Sequence, residues 1–337
     1  MDGVSTVPGP AALPFAELHL HLEGTLEPDL VLELAARNAV ELPFADVEDL
    51  RRAYAFSDLQ SFLDLYYANM AVLRTPQDFA DMTTAYLARA ARAGVRHAEV
   101  MIDPQAHVAR GVPLEAVLEG VDEALSTSER DHGVSTALFA AFLRDRPESE
   151  ALDVLHHLLG LHAPIVGIGL DSAEAGHPPS DFARLYDRAR AEGLHLIAHA
   201  GEEGPPQYVV EALDVLGVDR IDHGIRALED DALVQRLVDE QVPLTVCPLS
   251  NVALRAVDRL EDHPVLAMLD RGLNVSVHSD DPAYFGGYLD DNLAALTTSL
   301  GMTAGQRARL AENSIRAAVL PADRRAALLA EISRQER

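Results

Sequence analysis

Short apolar runs with strand-like alternation recur along this chain, and each is followed by a longer stretch whose apolar positions repeat with helical spacing. The strand-like runs are 16–23 (AELHLHLE), 95–103 (VRHAEVMID), 134–144 (VSTALFAAFLR), 166–172 (VGIGLDS), 194–200 (LHLIAHA), 220–225 (RIDHGI), 243–250 (PLTVCPLS) and 274–280 (NVSVHSD). The helical pattern is clear at 113–125, 180–192 and 205–217, the last opening on prolines that suit a first helical turn. Eight strand-plus-helix units predict a parallel (β/α)8 TIM barrel, with an open doubly wound sheet as the rival arrangement.

Two departures from even spacing change the picture. Residues 24–94, between the first two runs, leave room for several extra helices. Within them, 57–74 (SDLQSFLDLYYANMAVLR) is apolar and aromatic, and reads either as a lid over a site or as a plain packing helix. A helical tail at 290–334 is expected on the outside of the barrel. Residues 1–14 are small and rich in Pro and Gly, a flexible arm; with no repeat or linker beyond it, 15–337 reads as one catalytic domain.

Composition then narrows the function classes. Acidic residues number 54 against 27 basic ones, every one of which is Arg, for a formal net charge of −27. Such a surface repels phosphate backbones and anionic lipid, so neither nucleic acid nor membrane is an expected partner. The single cysteine, Cys247, has no intramolecular disulfide partner, which suits a reducing compartment. No apolar run approaches the roughly 20 residues that span a bilayer, and the N-terminal stretch lacks the pattern of a signal peptide. A cytoplasmic location is expected; homo-oligomerisation is plausible but has no residue-level signature.

The candidate chemistry clusters by position. In a strand, side chains at i and i+2 share a face, so His19, His21 and Glu23 are expected to point into the barrel together. His199 ends the fifth run, with Glu202 and Glu203 beyond it, and His223 ends the sixth. Ser279-Asp280-Asp281-Pro282 follows the eighth. Taken singly, each has a bland reading: satisfied histidines, a polar loop, or a turn before proline. Together they all fall at the carboxyl ends of barrel strands, where such folds keep their active sites, and packing requires none of them there. Three imidazoles and a carboxylate make an N/O ligand set with room for an open coordination position.

This constellation resembles the adenosine/adenine deaminase family of metal-dependent hydrolases, in order and from about Glu17 to Asn292. The resemblance implies that His19, His21, His199 and Asp280 hold one Zn2+ per chain, with Fe2+, Mn2+ or Co2+ as other metals such ligands accept. It further implies that Glu202 is the proton donor, that His223 orients the attacking water and takes its proton, and that Asp281 contacts that water or the purine edge. The runs HLHLEGTLEP (19–28), FSDLQSFLDLYY (56–67), HAGEEGPPQY (199–208), VCPLSNVAL (246–254) and SDDPAYFGGYL (279–289) are closer to the adenine deaminases than to the adenosine deaminases. Adenosine deaminases usually carry Asp where this chain has Glu23, and Gly where it has Glu174. A carboxylate at 174 would accept a hydrogen bond from the N–H of a free base and crowd a sugar, so Glu23 and Glu174 are expected substrate contacts.

The implied activity is conversion of adenine to hypoxanthine and ammonia in purine salvage. Departures at four positions bear on this. His278 stands where Asn is usual, either as a partner beneath the metal or as a buried, hydrogen-bonded histidine. Ala173, Ala175 and Ile102 replace residues that are commonly larger or aromatic; if they line the base, an N6-substituted adenine becomes an alternative substrate, beside adenosine. A hydrolase acting on amides or esters through two metals bridged by a modified Lys is disfavoured by the absence of Lys. A non-catalytic metal-binding protein is the remaining alternative from another class.

Overall fold

The computed structural model describes residues 13–335, so residues 1–12 of the expected N-terminal arm lie outside the described part. The eight strands are β1 (Phe15–Glu17), β2 (Val95–Ile102), β3 (Ser135–Leu143), β4 (Ile165–Asp171), β5 (His195–Ala200), β6 (Arg220–His223), β7 (Leu244–Val246) and β8 (Val275–Val277). They pair in parallel in the order β1 to β8. A parallel bridge between Leu20 and Asp280 joins the two ends, with the His21 N–H donating to the Asp280 carbonyl at 3.1 Å and the Asp280 N–H to the His19 carbonyl at 3.0 Å. That closure excludes the open doubly wound sheet. The barrel is sealed at its carboxyl end, by the residues expected to carry the chemistry.

The first strand is shorter than its alternation suggests. The ladder stops at Glu17, and the chain runs on through isolated bridges at Leu20 and His21. Leu18, Leu20 and Leu22 nevertheless stay fully buried on the helix side. Alternation ends at Leu22, whose backbone is helical (φ −64°, ψ −39°), and Glu23 opens a 3-10 turn over Glu23–Thr25. Glu23 therefore does not share the histidines' face as expected. The seventh and eighth runs are also shorter as strands, and 248–253 becomes the helix Pro248–Ala253.

Large apolar residues fill the space between strands and helices, whereas the barrel interior holds a small cluster of Met101, Ala137, Phe139, Ala141 and Ile197. Below the mouth the interior is polar. Strand register sets His199 beside Asp222, Asp222 beside Thr245, and Thr245 beside Ser276, a row across β5 to β8. Under it, Arg220 donates to Glu99, to Asp222 at 3.1 Å and to the Leu18 carbonyl at 2.7 Å. All three charged side chains are buried, so the guanidinium is the counter-charge for both carboxylates. The tail helix Ala304–Ala317 packs on the β1–β8 seam, with Asn313 donating to the Val275 carbonyl at 2.8 Å and Ser314 accepting from the Ala16 N–H at 3.1 Å.

The insertion between β1 and β2 forms the helices Pro28–Arg37, Val47–Ala53, Leu59–Asn69 and Pro76–Arg92. The third lies over the barrel mouth: Leu59, Phe62, Leu63 and Tyr66 join Phe56, Tyr284 and Phe285 in a separate apolar cluster. Segment 57–74 packs in this cluster and also lines the cavity at the barrel mouth. No described helix is long and apolar enough to cross a membrane.

Removing one partner of a buried ion pair leaves an uncompensated charge, at a cost of about 3–5 kcal/mol. Arg220→Met, which keeps the volume and abandons both Glu99 and Asp222, is expected to lower stability by that order. A melting temperature within a degree of the wild type would contradict this reading of the barrel floor.

Candidate active site

Four ligand atoms converge at the mouth. The Nε2 atoms of His19 and His21 lie 3.0 and 3.2 Å from His199 Nε2. Asp280 Oδ1 lies 3.2 Å from His19 Nε2 and 3.5 Å from His21 Nε2. With metal–nitrogen distances of about 2.0–2.1 Å, a tetrahedral site has edges of roughly 3.3 Å, so the spacing fits a transition-metal ion. Elementary chemistry agrees. Three imidazole nitrogens facing one another cannot all be satisfied by sharing protons, whereas one cation satisfies them together.

The residues behind these ligands fix their orientation. His19 Nδ1 lies 3.1 Å from the Thr245 carbonyl and 3.2 Å from its hydroxyl, which turns Nε2 to the centre. His21 Nδ1 lies 3.4 Å from Asp171, and His199 Nδ1 lies 3.8 Å from Asp222. Thr245 in turn donates to Asp222 at 2.5 Å, tying the ligands to the Arg220 network below. Arg144 donates to the His199 carbonyl at 2.7 Å and holds the end of β5. Asp280 (φ 65°) and His223 (φ 67°) are both left-handed. Such backbone costs on the order of 1–3 kcal/mol per residue and persists where the surroundings over-determine it, as at active sites. Asp281 follows, packed so close to Gly24 that a Cβ there would lie 2.0 Å from its Oδ1.

Beside the ligand cluster stands a second group. Glu202 Oε2 is 3.5 Å from His223 Nε2, which is 3.8 Å from Asp280 Oδ2. Burial, then the nearby Asp280, Glu174 and Glu203 carboxylates, pushes the Glu202 carboxyl well above its ordinary range, which favours the protonated form. Burial, then the charge of His19, lowers His223 to about 3, leaving a neutral imidazole able to accept a proton. Asp281 is raised well above the usual carboxylate range by burial and by Asp280. Against its own burial, Asp280 is held well below that range by His19 and the other imidazoles.

Asn251 bridges the pair, donating to Glu202 Oε1 at 3.1 Å and lying 3.2 Å from His223 Nδ1, while His263 lies 3.2 Å from its carbonyl oxygen. No role for Asn251 follows from the sequence alone. A signal was present, since VCPLSNVAL leaves the seventh strand, whose carboxyl end held no other candidate.

His21, His199 and Asp280 line one cavity of about 40 Å³ with Glu202, His223 and Asp281, roofed by Leu59, Phe62, Leu63, Tyr66 and Tyr67. The other expected residues lie elsewhere. Glu23 accepts from His107 Nε2 at 2.6 Å and from the Asp103 N–H at 3.1 Å, off the cavity wall. Glu174 is also redirected. Its carboxylate accepts four backbone N–H groups, from Gly201 at 2.7 Å, Glu202 at 3.0 Å, Glu203 at 2.8 Å and Gly204 at 2.8 Å. With one N–H on Oε1 and three on Oε2, Glu174 is a staple that shapes the turn carrying Glu202. His278 accepts from the Leu18 N–H at 3.0 Å and pairs with Ser276 at 2.8 Å, so it anchors the backbone ahead of His19 and not a ligand side chain. Ile102 is core, and neither Ala173 nor Ala175 is on the cavity wall, so the wider base pocket has no support from these three positions.

Fold and site together define a metal-dependent hydrolase of the (β/α)8 class. The sequence profile of the adenosine deaminase family matches residues 14–335, and the chain belongs to that family. It is 60% identical over 322 residues to an adenine deaminase of Streptomyces coelicolor, covering 95% of each chain. The crystal structure of adenine deaminase from Arthrobacter aurescens superposes with a TM-score of 0.95 at 65% identity, covering 96% of this chain and 99% of that one. A zinc-bound amidohydrolase from Burkhoderia ambifaria superposes with a TM-score of 0.88 at 28% identity, covering 97% and 92%.

Replacing Glu174 by Ala frees four loop N–H groups and lets Glu202 drift. An ångström of misplacement costs about 10²-fold in turnover. Glu174→Ala is expected to lower kcat by that order while keeping its metal; normal kcat in the variant would remove the staple from the account.

Proposed function

We propose that this protein hydrolytically deaminates adenine to hypoxanthine and ammonia, using a divalent metal, zinc by preference, held by His19, His21, His199 and Asp280. The observation that carries the reading is a buried Glu202, its carboxyl pushed well above the ordinary range, beside a cluster of three imidazoles and a carboxylate under one aromatic roof. The adenine deaminases at 60% and 65% identity support the choice of base. The zinc in the more distant amidohydrolase and the three-imidazole, one-carboxylate donor set support the choice of metal.

A cation bound there supplies Lewis acidity, which can bring the pKa of a water from 15.7 to near 7. The chain's own groups do the rest. Glu202 donates its proton to N1, so that attack at C6 does not leave negative charge on the ring. His223 accepts a proton from the attacking water and passes it to the departing amino group. As the C6 carbonyl forms, the remaining hydroxyl proton returns to Glu202, and ammonia leaves. Asp281, protonated, presents its O–H to N7 on the other side of C6. The aromatic roof excludes bulk water from these transfers.

A purine panel of adenine, adenosine and N6-methyladenine, followed by ultraviolet absorbance with metal measured on the same sample, tests the substrate. Adenine is expected to react fastest; preference for either other purine would overturn the reading. Glu202→Gln should bind metal normally and lose 10²–10⁴-fold in kcat, about the contribution of a positioned general acid. Near-normal turnover in that variant would exclude Glu202 as the donor.

A further inference from the structure

With Glu174 committed to the loop, the preference for a free base needs another reader. Two further carboxyl groups stand on the cavity wall. Asp103 follows β2 and Asp171 closes β4, and both line the cavity that holds Glu202 and Asp281. They are 1% and 3% exposed, yet Asp103 Oδ1, which stands 3.9 Å from His21 Nδ1, and Asp171 Oδ1 have no hydrogen-bond partner. The remaining atoms are engaged. Asp171 Oδ2 faces His21 Nδ1 at 3.4 Å, the Tyr66 hydroxyl reaches Asp103 Oδ2 at a long 3.5 Å, and the Asp103 N–H is fixed by Glu23. Buried acceptors without partners are costly, and a cavity wall that carries them is built for a donor arriving from the cavity.

The geometry of a purine indicates which donor. N1 and N7 flank C6, and the N3–N9 edge lies opposite. A base gripped at N1 by Glu202, beyond β5, and at N7 by Asp281, beyond β8, has that far edge left for the β2–β4 sector, where Asp103 and Asp171 stand. We propose that Asp103 is a specificity-determining residue, whose free Oδ1 accepts the N9–H that adenine carries and a nucleoside lacks. The inference rests on the adenine reading above. Asp171, bound to His21, keeps the Asp103 carboxyl in place; whichever of the two carries a shared proton, Asp103 retains an acceptor oxygen. On a nucleoside, the sugar carbon at N9 would leave this acceptor unpaired and press on Tyr66 and Tyr67. A site built to hydrogen-bond an N–H rejects analogues lacking it far more strongly than a merely apolar pocket rejects extra bulk.

The test compares adenine with 9-methyladenine, which differs at the proposed contact alone. Metal-loaded wild type, Asp103→Ala and Asp103→Asn are assayed for kcat/KM on both, with metal content and melting temperature measured on each sample. The wild type is expected to prefer adenine by about 10²-fold or more. Asp103→Ala should lose most of its activity on adenine and far less on 9-methyladenine, so that the ratio collapses. Asp103→Asn, which keeps the shape and one acceptor, should fall between the two and serves as the decisive variant if the alanine form does not fold. A general structural defect would lower both substrates alike and leave the ratio unchanged, which would overturn the proposal. A wild type inactive on adenine would overturn the substrate reading itself, an outcome separable from an active wild type whose ratio ignores position 103.

Discussion

Three imidazole nitrogens and one carboxylate oxygen, all within 4.8 Å of one another and all buried, are the constraint around which the rest of this molecule is arranged. Such a cluster is stable when a cation draws the lone pairs together, and without one the groups compete for too few protons. The fold supports the cluster from every side. The barrel closes through hydrogen bonds between the backbones of ligand-bearing segments, at His19, His21 and Asp280. The interior supplies Thr245 behind His19 and Asp222 behind His199, and Arg220 balances the buried charge beneath. An apolar floor would pack as well but would leave the ring orientations undefined.

The same crowding that assembles the ligands also sorts the neighbouring carboxyl groups. Asp280, faced by imidazoles, is held well below the ordinary carboxylate range, while Glu202, buried among other carboxylates, is pushed well above it. The two carboxyl groups are thus shifted in opposite directions, although both lie at the same end of the same barrel. Separating the two protonation states by surroundings is how a site runs acid and base chemistry at one pH. The roof contributes by drying the site. The chain has only 17 Phe and Tyr residues (9 and 8), yet Tyr54, Phe56, Phe62, Tyr66, Tyr67, Tyr284 and Phe285 gather over the mouth.

The long-range plan of the molecule was legible in the sequence because it is written in periodicity. Alternating apolar runs followed by helical spacing gave eight strands in order, and the motifs at strand ends gave His19, His21, His199, His223, Glu202, Asp280 and Asp281, which share one centre. Position along a strand is a reliable guide here since the parallel barrel delivers every strand's carboxyl end to the same mouth. Less legible were residues whose role depends on a partner far away in the chain. Asn251 matters because Glu202 and His223 happen to flank it, and Arg220 because Glu99 lies across the barrel from it.

Glu23 and Glu174 mark the boundary most clearly. Their residue types are properties of the sequence, and a carboxylate near a base is a sound expectation from type alone. Where each carboxylate points depended on competition among neighbours: four loop N–H groups captured Glu174, and His107 captured Glu23. Backbone donors in a buried turn must be paired, and the nearest acceptor is taken regardless of what a substrate offers. The sequence by itself determined the fold, which follows from local periodicity, and pointed to the ligand set and the class of chemistry through strand-end motifs and the family resemblance they carry. Only the tertiary structure decided which carboxyl groups remain free to meet the base, because that is settled by contacts between segments that are distant along the chain.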